Sequence, residues 1–120
     1  MPRRSSQRSA ERLEAEIQRE ILVAIGALPE LRIKRCNVGL FYTRDGRPVR
    51  NGTPGEADLQ GVLGPTGRYF ALEVKSPTGR QSRAQRIWER EYTKLGAFYR
   101  VVRSAAEALA ALDDAKRGRA

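Results

Sequence analysis

Three residues in this chain have the types and spacing to do chemistry together: Asp58, Glu73 and Lys75. Between Asp58 and Glu73 lies Gly64-Pro65-Thr66-Gly67, the punctuation of a tight turn, so Gly55 to Lys75 reads as two strands joined in a hairpin. With Pro65 and Thr66 at the turn centre, Leu63 faces Arg68, Leu59 faces Leu72, and Asp58 faces Glu73. Side chains alternate along a strand, which puts Asp58, Glu73 and Lys75 on one face and Phe70, Leu72 and Val74 on the other. Opposed Cβ atoms are only about 5 Å apart, and like charges there repel. Two carboxylates so close raise one another's pKa unless a cation lies between them. Mg²⁺ or Mn²⁺, which prefer oxygen ligands, would relieve the clash. The other reading is a solvated surface hairpin whose charges do no chemistry, and spacing alone leaves both open.

Around this hairpin the chain supplies its supports in order. Residues 1–10 are polar and basic without periodicity and read as a flexible arm carrying Arg3 and Arg4. A first helix runs from about Ser9 to Leu28, with Leu13, Ile17, Ile21, Ala24, Ile25 and Leu28 at helical spacing and Pro29 closing it. At about 100° per residue, Glu14 falls on the same inward stripe with Gln18 beside it, while Glu16 points nearly the other way. A carboxylate there either meets a partner or reaches out from the stripe's edge to solvent or an arginine. Leu31 to Tyr42 reads as a strand carrying Lys34 and Arg35, followed by an Asp45-Gly46 turn and a glycine-rich loop from Val49 to Gly55.

Beyond the hairpin, Ser82 is a helix N-cap and a second helix spans about Arg83 to Leu95. It places Ala84, Trp88, Glu91, Tyr92 and Leu95 along one side, Gln85 at that side's edge, and Gly96 as its stop. Ala97 to Val102 is a strand, and Ser104 with Glu107 forms a capping box for a last helix to about Leu112. The order helix, strand, strand, strand, helix, strand, helix predicts an α/β protein whose mixed sheet is flanked by helices. The domain organisation is the arm, one domain over residues 11–113, and a basic tail over 114–120. Trp88, Tyr92 and Phe98 read as core packing, with the lining of a dimer surface as the other reading.

Composition narrows the chemistry. The chain of 120 residues carries a net charge of +9, which points to a polyanion partner, most often nucleic acid. It contains no histidine, which removes Ser-His-Asp and Cys-His systems and any histidine-based zinc site. A single cysteine, Cys36, excludes an internal disulfide and fits a reducing cytoplasm. No apolar run approaches the roughly 20 residues of a membrane span, and no signal-peptide core is visible. Asp58, Glu73, Lys75, Glu14 if its helix packs there, and Gln85 then make a set suited to phosphodiester hydrolysis. In such a site carboxylates and the Val74 backbone carbonyl hold the ion, while Lys75 orients water or stabilises charge on phosphorus.

These residues carry a resemblance. Gly52-Thr53-Pro54-Gly55-Glu56-Ala57-Asp58-Leu59, with Leu72-Glu73-Val74-Lys75 following, resembles the PD-(D/E)XK nuclease signature, and within it the VRR-NUC family. Glu14 to Gln18 is similar to the family's opening helix motif, Ser82 to Gln85 to its helix after the lysine, and Val101 to Ser104 to the strand end that names it. Two positions depart: Ala57 stands where proline is common, and Ser104 where the family has a second arginine. The resemblance implies a restriction-endonuclease-like core with Asp58, Glu73 and Lys75 catalytic, Glu14 as a further acidic ligand, and Gln85 as a polar group near the site. It also implies Mg²⁺ or Mn²⁺ as cofactor and, for small stand-alone members, a homodimer acting on Holliday junctions or other branched DNA. Arg3, Arg4, Lys34, Arg35, Arg80 and Arg83 are the expected DNA contacts, with no membrane partner and no cofactor beyond the metal. A nuclease for flapped, nicked or ordinary duplex DNA, and a non-catalytic DNA-binding protein of the same fold, are the alternatives.

Overall fold

The computed structural model describes residues 5–36 and 39–120. Its central sheet has four strands in the order β1-β4-β5-β6, where β1 is Leu31–Arg35, β4 Leu59–Leu63, β5 Arg68–Val74 and β6 Phe98–Val102. The first two pairings are antiparallel and β5 with β6 is parallel. Strands β2 (Gly39–Tyr42) and β3 (Pro48–Asn51) pair with one another and, among the described residues, with no other strand, as a separate antiparallel ribbon. This corrects the single strand expected from Leu31 to Tyr42 and the loop expected after Val49. The Asp45-Gly46 turn, with Gly46 at φ 86°, supports strands on both sides, and the alternation from Leu31 onward divides between two sheets.

The β4–β5 hairpin has the register that its turn dictates: Leu63 pairs with Arg68 and Leu59 with Leu72. Helices α1 (Ser5–Ile25) and α3 (Ala105–Lys116) cover one face of the sheet, and α2 (Arg83–Lys94) covers part of the other. Ile17, Ile21 and Ile25 of α1 and Ala108, Ala111, Leu112 and Ala115 of α3 pack on Phe70, Leu72, Val74, Phe98 and Val102. The Phe70 and Phe98 rings stack with centroids 5.4 Å apart. On the opposite face Ala57, Ala71, Trp88 and Tyr99 form a smaller buried cluster. Ala57 is fully buried there, so the departure at this position places a small side chain under Trp88. Trp88, Tyr92 and Phe98 pack as core residues: Trp88 and Phe98 are buried, and Tyr92 stacks on Trp88.

Element ends differ from expectation where packing overrides local signals. Helix α1 takes in Ser5 to Ala10, assigned above to the arm, and stops at Ile25, a turn before Pro29. Leu95 caps α2 and is 87% exposed instead of lining the helix's apolar side. Helix α3 runs on to Lys116 because Ala111, Leu112 and Ala115 continue its buried stripe. The expected tail therefore begins within a helix, and its end folds back: the Arg119 and Ala120 carbonyls accept hydrogen bonds from Arg68 and Arg100. Arg3 and Arg4 lie outside the described residues. Among the described residues no helix is long and apolar enough to cross a membrane.

Candidate active site

Asp58 is gripped from both neighbouring strands. Its carbonyl accepts from the amide of Cys36, just past β1, at 2.7 Å. Its Oδ2 accepts from the amide of Val74 on β5 at 2.8 Å. The loop delivering it is shaped by glycines: Gly52 and Gly55 have φ of 76° and 82°, and a Cβ on Gly55 would stand 2.2 Å from the Ala84 carbonyl oxygen. Glu56 ties the same loop, accepting from the Thr53 amide and from the Gln60 side chain, each at 2.7 Å. That role was missed in the sequence, although Thr53-x-x-Glu56 has the spacing of a reciprocal cap.

Glu73 is 1% exposed, an unusual place for a carboxyl group. Its Oε2 accepts from Gln85 Nε2 at 2.9 Å and lies 3.4 Å from Lys75 Nζ. Its Oε1 is buried without a hydrogen-bond partner. Burial, and then the Asp58 carboxylate beside it, push the Glu73 carboxyl up to about 9, with Lys75 pulling the other way. Gln85 is held for this contact by its own helix start. Its Oε1 accepts from the Ser82 amide at 2.8 Å and its amide donates to Ser82 Oγ at 3.1 Å, so the capping box aims its Nε2 at the sheet.

Glu14 arrives by a different route from the one expected. Helix α1 packs on the face opposite Asp58 and Glu73, and Glu14 reaches the site's edge past the end of β5. There its Oε2 accepts from the Ser76 amide at 3.2 Å, and Gly79 passes so close that a Cβ would come within 3.2 Å of the same oxygen. Glu14 is half-buried and Glu16 exposed, as the helical phase required. Among the described residues no three His, Cys, Asp or Glu side chains gather as a metal-binding group. The structure thus brings Asp58, Glu73, Lys75 and Gln85 together and keeps Glu14 at their margin. Val74 contributes its amide to Asp58 at the same point.

The donors present suit a hard divalent ion: two adjoining carboxylates, one with a buried oxygen that no protein donor satisfies. Of the expected DNA contacts, Lys34 and Arg35 are exposed on edge strand β1, Arg80 is exposed in the loop before α2, and Arg83 is exposed at the first position of α2. All four are open to a ligand.

A four-stranded mixed sheet with helices on both faces and acids at the end of its central hairpin defines an α/β protein whose candidate site lies at the end of the two central strands. A solved structure described as "VRR_NUC domain" is similar over 84% of this chain and 95% of its own, with a TM-score of 0.60 and 20% sequence identity. The chain therefore has the fold of a VRR_NUC domain, as the motifs led one to expect. No family model matches the sequence, and no curated protein does so either.

Proposed function

We propose that this chain is a Mg²⁺- or Mn²⁺-dependent endodeoxyribonuclease. The observation that carries the reading is the buried Glu73 carboxyl beside Asp58, with one oxygen unsatisfied and Lys75 at 3.4 Å, on a VRR_NUC-like fold. A carboxyl buried beside a second carboxylate costs stability that a purely structural hairpin has no need to spend. Asp58 and Glu73, with the Val74 carbonyl and Glu14 from the margin, would hold the ion. Bound there, a divalent metal polarises the phosphoryl oxygen and lowers the pKa of water. Lys75, 3.4 Å from Glu73, would orient the attacking water or stabilise negative charge growing on phosphorus. Gln85 keeps the Glu73 side chain in a single orientation, and the Val74 amide does the same for Asp58.

The preferred substrate in this reading is branched DNA such as a Holliday junction, cut by a homodimer that offers one site to each of two strands. The net charge of +9 supports phosphate binding without base readout, so shape selects the substrate. The single free cysteine fits a reducing, DNA-containing compartment such as the cytoplasm of a bacterial or phage-infected cell. Flap, nicked or ordinary duplex DNA is the second reading, and non-catalytic DNA binding the third.

Labelled four-way junction, flap and linear duplex, each incubated with purified protein and Mg²⁺ or Mn²⁺, separate these readings. Cleavage should require metal, stop in EDTA, and disappear in Asp58→Ala while DNA binding persists. Metal-independent cutting, or an Asp58→Ala variant cutting at the wild-type rate, would sink the assignment. Light scattering should give about twice the 13.4 kDa chain mass, and a monomer would count against the junction reading.

A further inference from the structure

We propose that the cleft between the 77–81 loop and the end of β6 seats a second phosphate of the strand being cut, clamped by Arg103 and Arg80. The proposal rests on the nuclease reading and adds to it a phosphate-binding site with named residues.

The cleft measures about 690 Å³, and its lining contains two arginines, Arg80 and Arg103, and no carboxylate. Its place follows from strand register. In the parallel β5–β6 ladder Glu73 pairs with Val101 and Val74 with Val102, and the Lys75 amide donates to the Val102 carbonyl at 3.0 Å. Arg103 therefore falls one step past the last pair, alongside Lys75, with strands about 4.8 Å apart. Val101, the neighbour of Glu73, also lines the cleft, so the acidic pair and the arginine cleft adjoin.

Arg103 is half-buried and one of its nitrogens is committed: Nη2 donates to the Gly79 carbonyl at 2.9 Å. Among the described residues no carboxylate pairs with its guanidinium, whereas Arg100 on the other face of β6 pairs with Asp114 at 3.2 Å. Glu107 accepts from the Arg103 backbone amide at 2.8 Å, but the guanidinium, with one nitrogen on the Gly79 carbonyl, keeps donors for an anion in the cleft. The guanidinium fork matches phosphate oxygens in geometry as well as charge. Arg80 stands exposed on the opposite wall, with no hydrogen bond or ion pair among the described residues.

The same contacts make the cleft's wall firm. The loop is tied to β6 by Arg103, to α1 by the Ser76 amide on Glu14, and to Tyr99 by Gln81 Nε2 at 3.0 Å. A phosphate held by Arg103 would thus sit on a loop that also touches Glu14, fixing the strand's path relative to the acidic pair.

The test is a salt titration of binding to labelled duplex DNA in EDTA, by fluorescence anisotropy, for wild type, Arg80→Ala, Arg103→Ala and Arg103→Lys. Arg117→Ala is the control, at the far end of α3, about 20 Å from Ser104 along the helix. Each alanine variant in the cleft should flatten the slope of log K against log salt by about 0.9, the signature of one lost phosphate contact. Arg103→Lys should keep the slope yet bind more weakly, because charge survives and the fork does not. Arg80→Ala should melt like wild type, which separates lost binding from lost folding. Unchanged slopes in both alanine variants, or equal losses in Arg117→Ala, would overturn the cleft assignment while wild-type cleavage left the nuclease reading standing. A wild-type protein that neither binds nor cuts DNA would overturn both.

Discussion

Replacing Glu73 by glutamine tests the buried acid without requiring turnover. Burial, and then the Asp58 carboxylate, push the wild-type carboxyl up to about 9 in the folded chain, against 4.5 for the free group. Between those values the folded state keeps a proton that the unfolded state has released. Stability of the metal-free protein must then fall as pH rises, by about 1.4 kcal/mol per pH unit from this group alone. From about pH 5 to about pH 8 the loss is ~4 kcal/mol, on the order of 10 °C in Tm for a domain of this size.

Other shifted carboxyls act elsewhere on the scale. Lys116 holds Glu30 low, Thr43 does so for Asp45, and Arg100 for Asp114, so their contributions fade only as pH drops below the ordinary carboxylate range. Glutamine has nearly the same shape, cannot ionise, and can still accept from Gln85. In EDTA, thermal melts of Glu73→Gln between pH 5 and 8 should therefore be flat where wild type slopes downward. At pH 8, Mg²⁺ or Mn²⁺ should raise the Tm of wild type and leave the variant unmoved, since ion binding is linked to folding. Equal slopes for the two proteins in EDTA would refute the argument that burial of Glu73 outweighs the pull of Lys75.

Three further outcomes test the supports of the site. Gly55→Ala should destabilise by well over ~2 kcal/mol, because it adds to positive φ a Cβ only 2.2 Å from the Ala84 carbonyl. Gly46→Ala, at similar φ but in open space, should cost only about 1 kcal/mol by urea denaturation, and equal losses would remove the steric argument. Phe70→Ala, at the centre of the α1–α3 face and stacked on Phe98, should cost about 3–5 kcal/mol and lower the urea midpoint accordingly. Gln85→Ala removes both the reciprocal cap and the donor to Glu73, so about 1 kcal/mol of stability should go together with most of the cleavage rate. Retained cleavage at wild-type rate would show that Glu73 does not need this donor.

The parts of the site that could be read from the chain are those whose causes are local. Gly64 to Gly67 sets the hairpin turn, and counting outward from it places Leu59 opposite Leu72 and brings Asp58 beside Glu73. Ser82 and Gln85 are three residues apart and cap their own helix, so the direction of Gln85 is a property of α2 before any packing. The helical phase of α1 selects Glu14 over Glu16 for the same reason: 3.6 residues per turn decides which face a residue occupies.

Phase and turn chemistry do not say what a face meets. Helix α1 packs behind the sheet from Asp58 and Glu73, so Glu14 comes round the end of β5 to Ser76 and does not close on the pair directly. Leu31 to Tyr42 divides between two sheets because strand partners are chosen across the chain, and no local pattern records that choice. The parallel pairing of β5 with β6, with α2 intervening in sequence, sets Val101 beside Glu73 and Arg103 beside Lys75. Taken alone, the sequence determined the hairpin, the caps and the acids they present. Only the tertiary structure decided that Glu73 is sealed from water with one oxygen unsatisfied, since desolvation depends on what the rest of the chain packs over it.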